Sequence, residues 1–197
     1  FRRMSSPVFH GLAGAGLAYA MAGDARLPLS ASLRKAFPLL AAAAVLACLP
    51  DVDYLPGIWR GCLNTTHQQA THGVAWVLLV STGIWLVLRA WRPRRAGWRA
   101  WMFLLVLIGS HLAIDAFTND HFAPYGVPLG APFSEQRYSV PRPLLPAWEK
   151  TSFADFRNPR NLRTLGIEAG AGLAVAGICI GAKRGWTRRR GALSCEQ

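Results

Sequence analysis

Three separated stretches of this chain carry side chains that bind metals. They are Leu49-Pro50-Asp51-Val52-Asp53, Thr66-His67-Gln68-Gln69-Ala70-Thr71-His72 and His111-Leu112-Ala113-Ile114-Asp115. Each is a His or carboxylate cluster at the end of an apolar run. Neutral imidazole is the commonest metal ligand, and carboxylates complete hard or borderline sites. Ionisable groups near hydrocarbon are costly unless paired or metal-bound, so they mark a functional site by default. His111 and Asp115 are four apart, which puts both on one face of a helix. The three stretches are expected to meet in one metal site at one face of a membrane bundle.

The candidate ligands are not equivalent. His111, Asp115, His67 and Asp53 lead. His72 follows, with bracing the start of the next helix as its other role. Asp51 is a ligand, an orienter of a histidine or a general base. His10 lies one turn into the first apolar segment and His121 in a loop. Glu168 lies early in the last segment, where an unpaired carboxylate is costly and needs a metal or an arginine. These nine candidates exceed what one tetrahedral ion takes. Two or three ions are expected, the arrangement that holds both attacking and leaving oxygens in phosphoester hydrolysis. Arg137 and Arg142 are candidate phosphate contacts, against an ordinary role at solvent or lipid headgroups.

The composition fits a membrane setting. The 197 residues suit a single domain spanning 1–197, 52% apolar and 16% charged, against about 25% charged in a soluble domain. Five apolar segments stand out, at Pro7–Gly23, Phe37–Leu49, Gly73–Trp91, Ala100–Phe117 and Thr164–Ala182. A span needs roughly 17–25 residues. The last three qualify, the first is marginal, and the 13-residue second is expected to be short or partly re-entrant. The fold expected is all-α, a polytopic membrane bundle of about five segments. The connection over 117–163, rich in Pro and aromatics, is expected to lie at the interface and fold over the site. Ala20-Met21-Ala22 has the form of a signal-peptidase site, but His10 early in the segment argues against that reading. A natural start at Met4 is expected. Cys48 and Cys179 sit in apolar runs as packing residues.

The net charge of +12 follows the topology. In a five-span arrangement Arg26, Arg34, Lys35, Arg89, Arg92, Arg94, Arg95, Arg99 and the Lys183–Arg190 cluster share one side, which the positive-inside rule makes cytoplasmic. All five histidines and eight of the ten acids fall on or near the other side. The site is therefore expected to face the exterior of a cell inner membrane, at headgroup depth. Nucleic-acid binding is disfavoured, because topology already accounts for the basic residues. Gly166-x-x-x-Gly170 and Gly177-x-x-x-Gly181 allow close helix approach. Packing within the chain is preferred for them over a homodimer.

The order of these motifs resembles the YdjM-like family of membrane-bound metal-dependent hydrolases. The matching pieces are His10-Gly11, Leu49 to Asp53, His67 with Thr71-His72, and Ser110 to Asp115. They continue with Thr118, Tyr125-Gly126-Val127-Pro128-Leu129, Pro132-Phe133-Ser134 and Glu168. The chain departs from the family pattern at Gln68, Gln69 and Gly73, where the family carries Arg-Gly after its first His and Ser after its second. A more distant similarity is to the helical zinc phospholipase C and P1-nuclease fold. Its ligand order is matched by Asp53, His67, His111, Asp115 and His121.

The resemblance implies a metal-dependent hydrolase. With the ligand set it gives the expectation of a zinc phosphoesterase acting on a phospholipid or lipid phosphate, with Asp51 or Asp53 orienting or deprotonating the attacking water. Two rivals remain at this stage. One is an ion or metal transport protein, which calls for polar residues part-way across several helices. The other is a non-catalytic regulatory protein with a closed, structural metal site.

Overall fold

The fold is taken from a computed structural model, which describes residues 6–61, 68–94, 96–118, 126–142, 144–146, 148, 154 and 157–193, the last three as backbone only. The helices are α1 (Pro7–Ala22), α2 (Leu29–Ala47), α3 (Tyr54–Trp59), α4 (Val74–Trp91), α5 (Trp98–Ala116) and α6 (Pro159–Leu193). Short 3-10 turns at Leu49–Asp53 and Ala70–His72 connect them. Among the described residues the only β pairing is two isolated bridges, Thr118 with Leu145 and Val127 with Tyr138. The bundle is all-helical, as expected.

Four helices are long and apolar enough to cross a membrane: α2, α4, α5 and α6. Their outward faces carry exposed Phe37, Val45, Leu79, Val106 and Ile178, an apolar surface too extensive for a soluble monomer. The second segment differs from expectation. Its helix begins at Leu29 and runs 19 residues, so it is neither short nor re-entrant. Arg34, Lys35 and Pro38 interrupt the apolar run but not the helix.

α1 has 16 residues, about 24 Å at 1.5 Å per residue, and three helices pack on it. It packs chiefly against α6 and α2, and also against α5. A helix that is apolar all round is a buried helix, and α1 buries Phe9, His10, Ala13, Gly14, Gly16, Ala18 and Tyr19. Glycine sets how close its neighbours come. A Cβ on Gly16 would stand 2.6 Å from Ala176 Cα, and one on Gly14 2.6 Å from Ala47 Cβ. The small-residue pairs singled out in α6 do not serve this packing. Added Cβ atoms at Gly166, Gly170, Gly177 and Gly181 would meet nothing within 4 Å.

The helices alternate in direction, which gives the bundle two unlike ends. One end gathers the start of α1, the end of α2, the start of α4, the end of α5 and the start of α6. There the Ser6 amide donates to Glu168 Oε2 (2.9 Å) and His111 meets the Ala47 carbonyl. At the other end Lys183 Nζ reaches the Met21 carbonyl (3.5 Å) and Arg184 Nη1 the Leu27 carbonyl (3.1 Å). Described parts of the 117–163 connection cover the first end. Val140 and Leu144 amides donate to Ala116 and Phe117, the Val74 amide donates to Leu129, and Val127 is buried against Val77, Ile108 and Leu112.

Candidate metal centre

Four helix ends and two turns bring His10, Asp51, Asp53, His72, His111 and Asp115 into one cluster. His111 and Asp115 face inward from the last turns of α5, and His10 from the first turn of α1. Asp51 and Asp53 come from the 3-10 turn after α2, and His72 from the turn before α4. All are buried except Asp51, which is partly exposed.

Each imidazole has a second partner that fixes its orientation. His111 Nδ1 lies 2.8 Å from the Ala47 carbonyl. A carbonyl only accepts, so Nδ1 carries a proton, and in the neutral imidazole Nε2 is the nitrogen that offers a lone pair. The same bond satisfies a carbonyl that the end of α2 would leave open. His111 Nε2 is buried and forms no hydrogen bond among the described residues. His72 Nδ1 lies 3.2 Å from Asp53 Oδ2, which also accepts from the Thr71 hydroxyl at 2.8 Å. That directs His72 Nε2 into the cluster. Burial pushes His72 toward its neutral form, but hydrogen bonds to Asp115 and Asp53 outweigh this and raise its pKa. His10 stacks on His111, with ring centroids 3.7 Å apart and planes at 14°. Its Nε2 lies 3.3 Å from Asp115 Oδ1.

Four atoms then face one another, two nitrogens alternating with two oxygens. Asp115 Oδ2 is 3.4 Å from His111 Nε2 and 3.4 Å from His72 Nε2. Asp51 Oδ1 is 3.5 Å from His111 Nε2 and 3.9 Å from His72 Nε2. A tetrahedral ion with bonds of about 2.0–2.1 Å sets its donors about 3.3 Å apart, whereas square-planar or octahedral neighbours would lie nearer 2.9 Å. Three of the four separations lie near the tetrahedral value, and the His72–Asp51 edge at 3.9 Å is longer. The cluster can therefore hold a metal ion, through Asp51, His72 and His111 or through His10, His111 and Asp115. Both sets use His111, whose Nδ1 is committed to Ala47, so its one lone pair serves one ion.

The expected site residues divide accordingly. His10, Asp51, His72, His111 and Asp115 come together. Asp53, expected among the ligands, stands behind His72 on its Nδ1 side. Glu168, also expected as a ligand, lies elsewhere. Its Oε2 accepts from the Ser6 amide (2.9 Å) and Trp148 Nε1 (3.1 Å), tying α6 to the start of α1 and to the covering connection. His67 and His121 lie outside the described residues. Arg137 donates to the Gly126 carbonyl (3.0 Å) and the Gln68 carbonyl (3.1 Å), which makes it a clamp between two loops. Arg142 is exposed. Cys48 donates to the Pro7 carbonyl at 3.3 Å, and burial, helped by Asp51, pushes its thiol up to about 12. It packs as a neutral thiol.

Sequence reasoning missed Thr71 and the Ala47 carbonyl as orienting partners. Thr71 carried a signal, adjacency to His72. A backbone carbonyl carries none. Gly73, a departure from the expected motif, has a local reason: a Cβ there would collide with the Ala131 carbonyl.

An apolar cavity of about 870 Å³ adjoins the cluster, lined by Val45, Cys48, Val52, Ile58, Trp148 and Leu165 among others, with Asp51 in its wall. Asp51 is thus shared by the cavity and the cluster.

Comparison with known proteins agrees with this architecture. The sequence model of the YdjM inner membrane protein family matches residues 4–187. Inner membrane protein YbcI of Escherichia coli (strain K12) is 33% identical over 121 residues, covering 52% of this chain and 68% of that protein. No solved structure matches the chain.

Proposed function

The chain belongs to the YdjM inner membrane protein family, and from that premise we propose that it is a zinc-dependent phosphoester hydrolase acting on a lipid phosphate or phospholipid. The carrying observation is the facing of His72 Nε2, His111 Nε2 and Asp115 Oδ2, with the partly exposed Asp51 beside them in the wall of an apolar cavity. Three protein donors and one open position is the catalytic zinc pattern, and two His with one carboxylate is among its forms. When bound, zinc supplies Lewis acidity, which makes water nucleophilic near neutral pH and polarises a phosphoryl oxygen.

The chain's own groups do the rest. Asp51 stands beside these three donors at the cavity wall, where its carboxylate would orient water and take its proton. Asp53 holds His72 through Nδ1, and His10 holds Asp115 through Oδ1. The cavity accepts acyl chains while the phosphate lies at Asp51. Its volume is within the usual range for small-molecule pockets. The resemblance of the motif order in the sequence to the zinc phospholipase C fold is what suggests the phosphoester class, with Asp53 as an orienter of His72. The basic residues at the opposite end favour an extracytoplasmic centre by the positive-inside rule. A second or third ion would draw on His67 and His121.

One rival keeps a specific observation in its favour. If Asp51 Oδ1 is itself the fourth ligand, the shell is closed and the site is structural. Zinc content and hydrolysis of a short-chain phosphatidic acid, measured for wild type, Asp51→Ala and His111→Ala, separate the two. A hydrolase loses zinc in His111→Ala, and in Asp51→Ala keeps it while losing turnover. Loss of zinc in both variants, with wild type inactive, establishes the structural site. Zinc-free wild type after reloading removes the metal reading.

A further inference from the structure

A second cavity, of about 510 Å³, lies at the end of the bundle away from the metal centre. The α1–α2 turn, the first turns of α2 and the last part of α6 form its walls. Its polar lining comprises Asp24, Arg26, Ser32, Lys35, Lys183 and Thr187. Three cations therefore stand against one carboxylate. Asp24 is engaged locally, accepting from Lys35 Nζ at 3.1 Å and from the Arg26 amide at 3.3 Å. These contacts hold its carboxyl below the usual carboxylate range.

Two independent observations identify what the cavity takes. The first is Ser32. It is 0% exposed, lines the cavity, and its hydroxyl forms no hydrogen bond among the described residues. Buried hydroxyls are nearly always partnered. The second is the start of α2. Its capping position is Pro28, which supplies no side-chain cap. The first-turn residues Leu29 and Ser30 are exposed and lie outside the cavity lining, so this helix start adds a favourable field for an anion nearby but no direct donor. Topology explains why cations are on this side. It does not explain a buried, unpartnered serine among them.

We infer that this cavity binds a phosphate oxyanion, with the Ser32 hydroxyl as donor and Arg26, Lys35 and Lys183 supplying the charge. Basic pockets between membrane helices hold anionic headgroups. The exposed Phe37 and Leu39 beside it give acyl chains a surface to lie on. Free phosphate presents the same oxyanion. The site does not depend on whether the metal centre is catalytic.

The test uses full-length protein in detergent, stripped of metal with chelator after its metal content is measured, so that phosphatidic acid is not turned over at the other end. Native mass spectrometry measures retention of phosphatidic acid against diacylglycerol, which has the same chains and no phosphate. Thermal unfolding with inorganic phosphate is the second arm. The variants are Ser32→Ala, Lys35→Gln/Lys183→Gln, and Arg188→Gln/Arg189→Gln as a control with the same change in net charge. Unchanged helicity and metal content verify folding. We expect phosphatidic acid to be retained and diacylglycerol not. The Lys35/Lys183 variant should weaken binding roughly tenfold or more, Ser32→Ala about fivefold, and the control less than twofold. Stabilisation by inorganic phosphate alone would identify a free-anion site, and binding of phosphatidic acid alone a headgroup site. Binding of neither, or equal loss in the control, overturns the proposal.

Discussion

Asp53→Asn separates an orienting carboxylate from a metal ligand. Asp53 Oδ2 stands 3.2 Å from His72 Nδ1 and 2.8 Å from the Thr71 hydroxyl. An orienting partner of a ligating histidine is worth about 10–100-fold in metal affinity, or about 1.4–2.7 kcal/mol. Asparagine keeps the shape and one acceptor oxygen but removes the charge. The zinc Kd should therefore rise about 10–100-fold, with the ratio of zinc to protein unchanged. Losing a true ligand costs more. About 10–16 kcal/mol of zinc binding shared among four ligands is about 2.5–4 kcal/mol each, roughly 60–700-fold in Kd. Competition against a chromophoric zinc chelator measures both Kd and stoichiometry. Thr71→Val should give a milder version, about fivefold. A change in stoichiometry, or a loss beyond about a hundredfold, would make Asp53 a ligand. A Kd within threefold of wild type would show that the contact orients nothing.

Three other outcomes follow from the packing. Glu168→Gln should keep its metal but lose about 1–2 kcal/mol of stability, because its carboxylate serves the Ser6 amide and Trp148; metal analysis beside thermal unfolding shows both. His111→Ala should be destabilised by about 1–3 kcal/mol even when both proteins are stripped with chelator, since the Ala47 carbonyl loses its partner in a buried site; equal melting of the stripped proteins would contradict the hydrogen bond. Gly16→Ala must push its new Cβ away from the Ala176 backbone and should cost about 1–3 kcal/mol, whereas Gly170→Ala meets open space and should be neutral or slightly stabilising; unfolding in detergent compares them.

The parts of this structure that were legible in the sequence are those written as clusters. His111 and Asp115 four apart, Asp51 beside Asp53, and Thr71-His72 each identify themselves, and the alternation of apolar segments puts them at one end. The start of α2 was not legible, because Arg34, Lys35 and Pro38 break the apolar run while leaving the helix intact. The packing face of α6 was not legible either. That helix carries several small-residue stripes, and only its partner decides among them. Gly172 meets Leu12, whose Cβ an added methyl would approach to 2.9 Å, while Gly166 and Gly170 face open space. Glu168 misled for a related reason. Burial in an apolar helix demands partners, and among them are an amide at the start of α1 and an indole, which no spacing in the sequence announces.

The two ends of the bundle solve the same problem differently. Every helix ends with backbone groups that lack intrahelical partners, and away from water these must be satisfied by something. At the metal end the chain supplies the partners itself. His111 takes the Ala47 carbonyl, Glu168 the Ser6 amide, and Leu129 the Val74 amide. Those bonds spend Nδ1 of His111 on structure and leave Nε2 aimed at Asp115 and Asp51, so the capping of α2 and the aiming of the central ligand are one interaction. A variant that uncaps α2 must therefore also misdirect the metal centre. At the basic end α2 starts without a side-chain cap, and Ser32 is buried beside it. One end is closed by the protein's own side chains around a cluster that can hold a metal ion, and the other leaves a buried serine beside an uncapped helix start.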